Sequence, residues 1–337
     1  ELNYSYGSPW AWQTPLFALL TTNKYWQALD YIIDFTNDLV ARIFKDKRRN
    51  EQLNEVKIYL RHGKPNIQYG NYSLWGLYRG AVHITYPYVM QSMHMALERI
   101  LLNLADDKKC DDIVKASFDR ILSHSESVSL TAIVASVVLA HPERYSEYAI
   151  NLFKTIELFH WDNRRSFDES LLASTYGLSH GQYWERIIQE RAETLNQVFR
   201  KKSLESLCVE YQYTRSSNTN EEEHNKLVNE IHTVFDKHYN DIQTLSAGEE
   251  KRTKLILLHR LDRRKHNPQC SETSEGILID MNPQLPDELK RFSEESNNNF
   301  REQIRSGNLW VWYSKKFDGE DVSMYKQYEE KPLKAIE

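Results

Sequence analysis

The chain has 337 residues with 43 basic and 48 acidic side chains, so its formal net charge is −5 with histidine neutral. This balance excludes a global basic field for nucleic acid but leaves a local basic patch open. Three widely separated cysteines, Cys110, Cys208 and Cys270, exclude a disulfide framework and a thiolate zinc cage, and favour a reduced, cytoplasmic protein. No apolar run is long enough for a transmembrane helix, so no membrane partner is predicted.

Glycine and proline are scarce, at 11 and 9 residues. Sandwiches, barrels and doubly wound folds need these residues in their many turns. Their scarcity predicts long helices and few tight turns. The 8 Trp, 20 Tyr and 12 Phe residues suit broad seams between helices, because Tyr and Trp combine a large apolar body with one polar group.

The N-terminal half contains three regular elements and one irregular stretch. Apolar residues at three- and four-residue spacing predict amphipathic helices over 25–44 and 88–105. Between them, 69–86 holds glycines among aromatic residues and predicts an ordered loop. The run 129–140 is apolar or small on nearly every face. Its length and the following Pro142 favour a buried helix over the alternative, a buried strand.

The C-terminal half continues the helical series. A short β-like segment is predicted over 276–283. The predicted helices cover 142–158, 182–207, 221–239, 253–261 and 285–304. Consecutive helices at this spacing predict a mostly α fold, an irregular α-helical repeat (solenoid-like) array of stacked helical hairpins with short irregular or β-like segments.

One polar stretch, 214–223, predicts a linker or loop. It would divide an N-terminal helical array, 1–213, from a helical C-terminal part, 224–337. The alternative is that the helices stack straight across it. Because the chain opens at Glu1 with no initiator methionine, we expect it to be a piece of a longer protein.

Gly177 to Gly181 matches G-x-S-x-G, in which the serine of a strained strand-to-helix turn acts as a nucleophile. Ser179 is therefore a candidate for a hydrolase. However, no alternating strands and helices and no glycine-rich oxyanion segment accompany it. The alternative is a turn between helices that caps the next helix.

Motifs for metals and nucleotides are absent. The sequence has no H-E-x-x-H, no G-x-x-x-x-G-K-[ST] and no G-x-G-x-x-G, so neither a metal site nor a cofactor site is predicted in this chain. His124 is interpreted as the C-terminal residue of a helix. Residues 160–165 predict a polar turn after a helix, in which Arg164 and Arg165 form ion pairs or contact an anionic ligand.

Basic residues cluster at 45–49, 200–202 and 260–266. The third cluster is the densest, and Arg263, Arg264 and Lys265 are candidates for contact with nucleic acid. Cations near a helix C-terminus also complement the helix dipole, which is the alternative.

The aromatic stretch gives the first candidate for recognition of a partner. Its side chains outnumber those that one loop can easily bury, and large aromatic and arginine side chains are frequent anchors at interfaces. The candidates are Tyr72, Trp75, Tyr78 and Arg79. In the alternative, Tyr72, Leu74 and Trp75 fill a groove between adjacent helices.

Several segments together resemble the helical region of very large bacterial ATP-binding proteins of the signal-transducing STAND/AVAST-like kind. The segments that carry the resemblance are Gln13–Phe17, Ala28–Asn37, Tyr69–Gly80, Ser125–Pro142, Leu261–Lys265, Met281–Pro283 and Leu289–Ser296. They span most of the chain, and none of them is a catalytic motif.

The resemblance implies a role within a larger protein. Such proteins pair a P-loop ATPase with long helical arrays that sense a partner, often a phage protein, in antiviral defence. This chain would be a sensor or scaffold segment, with ATP bound only by a separate domain of the parent protein. Its partner would be a protein or another domain of the same parent chain.

Overall fold

The computed structural model describes residues 9–45, 53–79, 86–172, 184–216, 219–273, 276–317 and 319. These residues divide into two compact units, one ending at His238 and the other beginning at Tyr239. Most of the described residues are helical, and the strands form two small antiparallel hairpins. The predicted mostly α class with short β segments is confirmed.

The first unit contains eleven α-helices and one hairpin among its described residues. In chain order they are α1 (Pro15–Leu19), α2 (Tyr25–Lys45), β1 (Asn54–Ile58), β2 (Asn66–Gly70), α3 (Tyr72–Trp75), α4 (Tyr88–Asp106), α5 (Asp111–His124), α6 (Val128–Ala140), α7 (Ser146–Phe153), α8 (Ile156–Leu172), α9 (Trp184–Leu195), α10 (Leu204–Tyr213) and α11 (Glu221–Gln243), which ends beyond His238. Two 3₁₀ turns, Leu77–Arg79 and Val198–Lys201, complete its central part.

Helix α6 forms the centre of the first unit and packs against α4, α5 and α7. Every residue from Val128 to Leu139 is buried, as the apolar run predicted. Its polar side chains find buried partners: Thr131 donates to Gln68 Oε1 at 2.6 Å, and the Ser129 hydroxyl lies 3.0 Å from His94 Nε2. A helix satisfies its own backbone polar groups, so it can be buried on every side.

The prediction of a loop over 69–86 is wrong for its described part. Strand β2 ends at Gly70, and Asn71 then caps the one-turn helix α3 by accepting a hydrogen bond from the Leu74 backbone N–H at 2.9 Å. Gly70 is required by close approach, because a Cβ there would overlap the side chain of Val128. Gly70 and Gly76 thus lie on either side of the one-turn helix α3.

Two predicted helices are each interrupted. The helix over 142–158 is split into α7 and α8 at Thr155, whose hydroxyl donates to the Lys57 carbonyl of β1. The helix over 182–207 is split into α9 and α10, with Ser203 forming a capping box at the start of α10. The predicted polar turn 160–165 is also wrong, because these residues lie within α8.

The second unit contains α12 (Glu249–Leu261), β3 (Gln269–Thr273), β4 (Gly276–Asp280) and α13 (Asp287–Phe317). The predicted β-like segment is confirmed as β4, which pairs with β3 in antiparallel register, Cys270 opposite Ile279. The described residues of 214–220 are not helical, and α11 begins at Glu221. A domain boundary at 214–223 stays a prediction. Among the described helices, none has the length and apolarity that a membrane crossing requires.

Candidate functional site

Six charged side chains lie together inside the first unit and form what we call the buried ion network. Each is at most 6% exposed. They come from the turn Leu77–Arg79, from α4, from α8 and from the turn Val198–Lys201. The members are Arg79, Glu98, Asp162, Arg165, Glu169 and Arg200.

Asp162 organises one half of this network. Its Oδ1 accepts hydrogen bonds from Trp75 Nε1 at 3.0 Å and from Arg165 Nε at 2.8 Å. Its Oδ2 accepts from the backbone N–H of Leu204 at 2.7 Å, at the first residue of α10. Burial of this carboxylate is tolerated because each of its oxygens has a donor.

Glu169 and Glu98 organise the other half. Glu169 pairs with Arg79 and lies 3.3 Å from Arg165 Nη1. Burial alone would raise the pKa of Glu169. The nearby arginines, Arg79 above all, nevertheless hold this pKa below its usual value. Arg200 Nη2 lies 2.6 Å from Glu98 Oε1. Three arginines thus face three acids, and the network as a whole is close to neutral.

Three of the four residues predicted for partner recognition belong to this interior. Trp75, Tyr78 and Arg79 are 0%, 1% and 5% exposed, whereas Tyr72 is 45% exposed. Leu74 is also fully buried. This placement favours the packing alternative for Leu74 and Trp75, and leaves Tyr72 as the accessible member of the predicted set.

Three of the five residues predicted for anion contact pair with acids of the same chain. Arg164 pairs with Asp168 at 2.9 Å, four residues further along α8, and Arg165 is buried in the ion network. Arg264 pairs with the fully buried Asp262 at 2.9 Å.

Arg263, Arg264 and Lys265 form a 3₁₀ turn directly after α12. The Lys265 ammonium lies 6.0 Å from the centre of the Tyr239 ring. His124 is the last residue of α5, as interpreted from the sequence. Ser179 and the Gly177–Gly181 motif lie outside the described residues.

An apolar groove that sequence reasoning missed lies between α1, α2 and α4, and we call it the α2 groove. Its volume is about 650 Å³. The residues that line it include Leu19, Lys24, Tyr31, Phe35, Val89 and Met93. Tyr31 and Leu19 are 53% and 40% exposed, and the rings of Tyr31 and Phe35 stack with centroids 6.1 Å apart.

The sequence carries a signal for this groove. The core stripe of α2 includes Leu29, Ile32 and Ile33, all nearly fully buried. Tyr31 and Phe35 lie four residues apart and form a second apolar stripe on another face of the same helix. The core of the first unit covers one apolar face of α2. A second, exposed apolar face on the same helix indicates contact with another molecule or segment.

A second hollow, the polar cavity, lies beside the buried ion network. Its volume is about 210 Å³, and α4, α9 and the turn Val198–Lys201 supply most of its wall. Arg99, Glu190 and Arg200 line it together with apolar side chains such as Met95 and Phe199. It is smaller than the pockets of about 300–1,000 Å³ that hold drug-sized ligands.

Within the described ranges, no group of three or more His, Cys, Asp or Glu side chains is arranged to hold a metal ion. No protein-family model matches the chain, and no curated protein matches it. Its function is therefore inferred from the residues and their arrangement.

Proposed function

We propose that this chain is a non-catalytic helical module that binds a protein partner through the α2 groove. The observation that carries the proposal is the exposure of Tyr31 and Leu19 along a groove of about 650 Å³. Contiguous exposed apolar surface rimmed by polar residues marks interaction sites, whereas single exposed apolar residues do not. The groove is also bordered by helices, which give it a defined shape.

The occupant we propose is an amphipathic helix that carries one acidic residue. Lys24, Gln27, Ala28, Tyr31 and Phe35 recur at helical spacing along one face of the groove. Such a face accepts a partner helix whose apolar anchors are spaced by three and four residues.

The charge of the groove is the reason to expect an acidic residue on the partner helix. Lys24 is the one charged side chain among the described residues that line the groove. An acid on the partner helix would pair with Lys24 at the start of α2. This complementarity fixes the direction in which the helix lies more than it raises affinity.

The parent protein we propose is a larger cytoplasmic P-loop ATPase of the STAND/AVAST-like kind, acting in bacterial antiviral defence. The segments quoted from the sequence support this assignment, and ATP would be bound by a separate domain. The natural reading frame tests it: a G-x-x-x-x-G-K-[ST] motif beyond the present chain supports the assignment, and its absence overturns it.

A selection from displayed helical peptides tests the groove. We expect the full chain to enrich amphipathic peptides with one acid, and Tyr31→Asp to weaken their binding by at least about tenfold, as for an interface anchor. Lys24→Gln should weaken it less and make it less dependent on salt.

Two further variants complete this selection. Ile113→Asp is the matched control, because Ile113 is 40% exposed on α5 and does not line the groove. Tyr72→Asp tests the surface first predicted from the sequence. Failure to enrich any peptide, or equal binding by the Tyr31 variant, would overturn the proposal.

Neither the hydrolase nor the nucleic-acid alternative is favoured by an observation on the described residues. Arg165 and Arg264, two of the predicted anion contacts, already pair with Asp162 and Asp262. An arginine that is paired with a buried acid must break that pair before it binds phosphate, which reduces its value as a contact.

A further inference from the structure

The polar cavity contains charged groups with unused hydrogen-bonding capacity. Arg99 forms no hydrogen bond with any described residue; its guanidinium lies 3.9 Å from Glu190 Oε1 and 5.0 Å from the centre of the Trp12 ring. Arg200 Nε and Glu190 Oε2 are buried and have no hydrogen-bond partner among the described residues. Buried polar groups normally have partners, so the unused atoms of Arg200 and Glu190 indicate a missing one. Arg99, which is 35% exposed, lies beside them at the mouth of the same cavity.

Among the described arginines that line the cavity, Arg99 is the one without a counter-ion at hydrogen-bond distance. Arg79 is paired with Glu169, and Arg200 with Glu98. Arg99 is left with Glu190 alone, at a distance longer than a hydrogen bond. Its guanidinium carries five N–H donors in a planar fork that matches a carboxylate.

Glu190 is suited to share an anion with Arg99. Its side chain is 8% exposed, and Oε1 accepts a hydrogen bond from the Ala11 backbone N–H at 3.3 Å. Burial raises the pKa of Glu190, opposed by the Ala11 N–H, Arg99 and Arg191 and aided by Glu193. A protonated Glu190 would donate a hydrogen bond to an anion instead of repelling it.

The apolar part of the wall indicates what the anion carries. Met95, Leu102 and Phe199 line the cavity beside the charged groups. A volume of about 210 Å³ equals that of about seven water molecules at roughly 30 Å³ each. A ligand of this size has a single charged group and a short organic body.

We propose that the polar cavity binds a small organic monocarboxylate, whose carboxylate lies between Arg99 and Glu190 and whose body contacts Met95, Leu102 and Phe199. A phosphate dianion fits less well, since it brings a second negative charge to a cavity in which Arg99 is the one cation without a close counter-ion among the described residues. This site is independent of the α2 groove, so either proposal stands if the other fails.

Binding should depend on pH. The bound anion favours the protonated form of Glu190, so binding takes up a proton and affinity rises as pH falls. The charged groups that face Glu190 are Arg99 from α4 and Arg191 and Glu193 from α9. Asp106 and His141, which lie 3.3 Å apart, also line the cavity.

Calorimetric titration of the full chain with sodium benzoate tests the site, and inorganic phosphate and acetate serve as comparison ligands. We expect benzoate to bind in the millimolar range, as for a ligand of few atoms, and more tightly at about pH 5, close to the ordinary range of a glutamic acid, than at about pH 8. Acetate should bind more weakly, because it lacks the apolar body. Absence of benzoate binding, or tighter binding of phosphate, would overturn the assignment.

Variants locate the binding. Arg99→Gln should weaken benzoate binding by about tenfold or more, and Arg99→Lys, which keeps the charge but loses the fork, should weaken it less. Glu190→Gln should retain binding and lose most of the pH dependence. Arg164→Gln is the matched control, because Arg164 is half exposed on α8 and does not line the cavity. Benzoate binding that is unchanged in both Arg99 variants would place the ligand elsewhere and overturn the proposal.

Discussion

Trp75 and Asp162 lie 87 positions apart in the chain, and the indole Nε1 donates a hydrogen bond to Asp162 Oδ1 at 3.0 Å. The same carboxylate accepts hydrogen bonds from Arg165 and from the backbone of Leu204. One buried acid therefore joins α3, α8 and the start of α10. A side chain that satisfies donors from three helices determines how they pack against one another.

Asp162→Asn should destabilise the fold strongly. The substitution keeps the shape of the side chain but leaves the buried Arg165 without its nearest counter-charge, and breaking a buried pair in this way costs about 3–5 kcal/mol. Urea unfolding, followed by circular dichroism, gives the free energy of unfolding of both proteins.

Asp168→Asn provides the control for this measurement. Asp168 pairs with Arg164 on the same helix, but Arg164 is 51% exposed. An exposed pair contributes about 0–1 kcal/mol. Equal losses for Asp162→Asn and Asp168→Asn would show that the buried position of Asp162 does not add to its contribution to stability.

The sequence predicted the elements whose pattern is local. The stripes of α2 and α4 and the all-apolar run of α6 lie within single helices, so helix type and burial follow from spacing alone. The buried ion network was missed because its signal is not local. In the sequence, the charged residues of 160–165 are typical of a solvated turn. Their partners Trp75, Arg200 and Leu204 are distant in the chain and come close only in the folded protein.

The interruptions at Thr155 and Ser203 were missed for a related reason. Each is determined by a hydrogen bond: Thr155 to the carbonyl of Lys57 in β1, and Ser203 to the backbone N–H of Ser206. Helical spacing continues across both positions in the sequence. A capping or tertiary hydrogen bond can end a helix even where the apolar spacing continues, because it gives the backbone groups at the helix end a partner.

Gly70→Ala should destabilise the contact between β2 and α6. The added methyl group would overlap the Val128 side chain, and overpacking of this kind costs about 1–3 kcal/mol. Combining it with Val128→Ala should recover part of the loss, so the double variant should be more stable than the sum of the single effects predicts. Thermal unfolding of the four proteins measures this coupling.

Gly248→Ala is the matched control for Gly70→Ala. No atom lies within 4 Å of a Cβ built at Gly248, and its φ of 174° is extended backbone that alanine also adopts. We expect its free energy of unfolding to stay within about 0.5 kcal/mol of the parent value. Additive effects of Gly70→Ala and Val128→Ala would contradict the overlap as the cause.

Substitution by serine should lower the free energy of unfolding much more at a buried position of α2 than at an exposed one. Ile33 is 2% exposed, so Ile33→Ser removes core contacts and should cost on the order of 3 kcal/mol. Tyr31 is 53% exposed in the α2 groove, so Tyr31→Ser should change stability by less than about 1 kcal/mol. A large loss for Tyr31→Ser in urea unfolding would show that the groove side chains act in folding and not as a surface for a partner.

His94 should make the stability of the first unit depend on pH. The ring is fully buried; Nδ1 donates to the Met90 carbonyl at 2.8 Å, and Nε2 accepts from the Ser129 hydroxyl at 3.0 Å. Burial lowers the pKa of His94 from 6.5 to about 4. Between these two values the unfolded chain binds a proton that the folded chain does not, so the free energy of unfolding falls as pH falls from about 6.5 to about 4.

The expected loss is about 3 kcal/mol, since each pKa unit corresponds to 1.36 kcal/mol. Urea unfolding at a series of pH values measures the slope, and His94→Gln should remove this contribution whatever its effect at neutral pH. His124→Gln, at an exposed position at the end of α5, should retain it. A slope that survives in His94→Gln would assign the acid sensitivity to other groups and contradict a neutral buried His94.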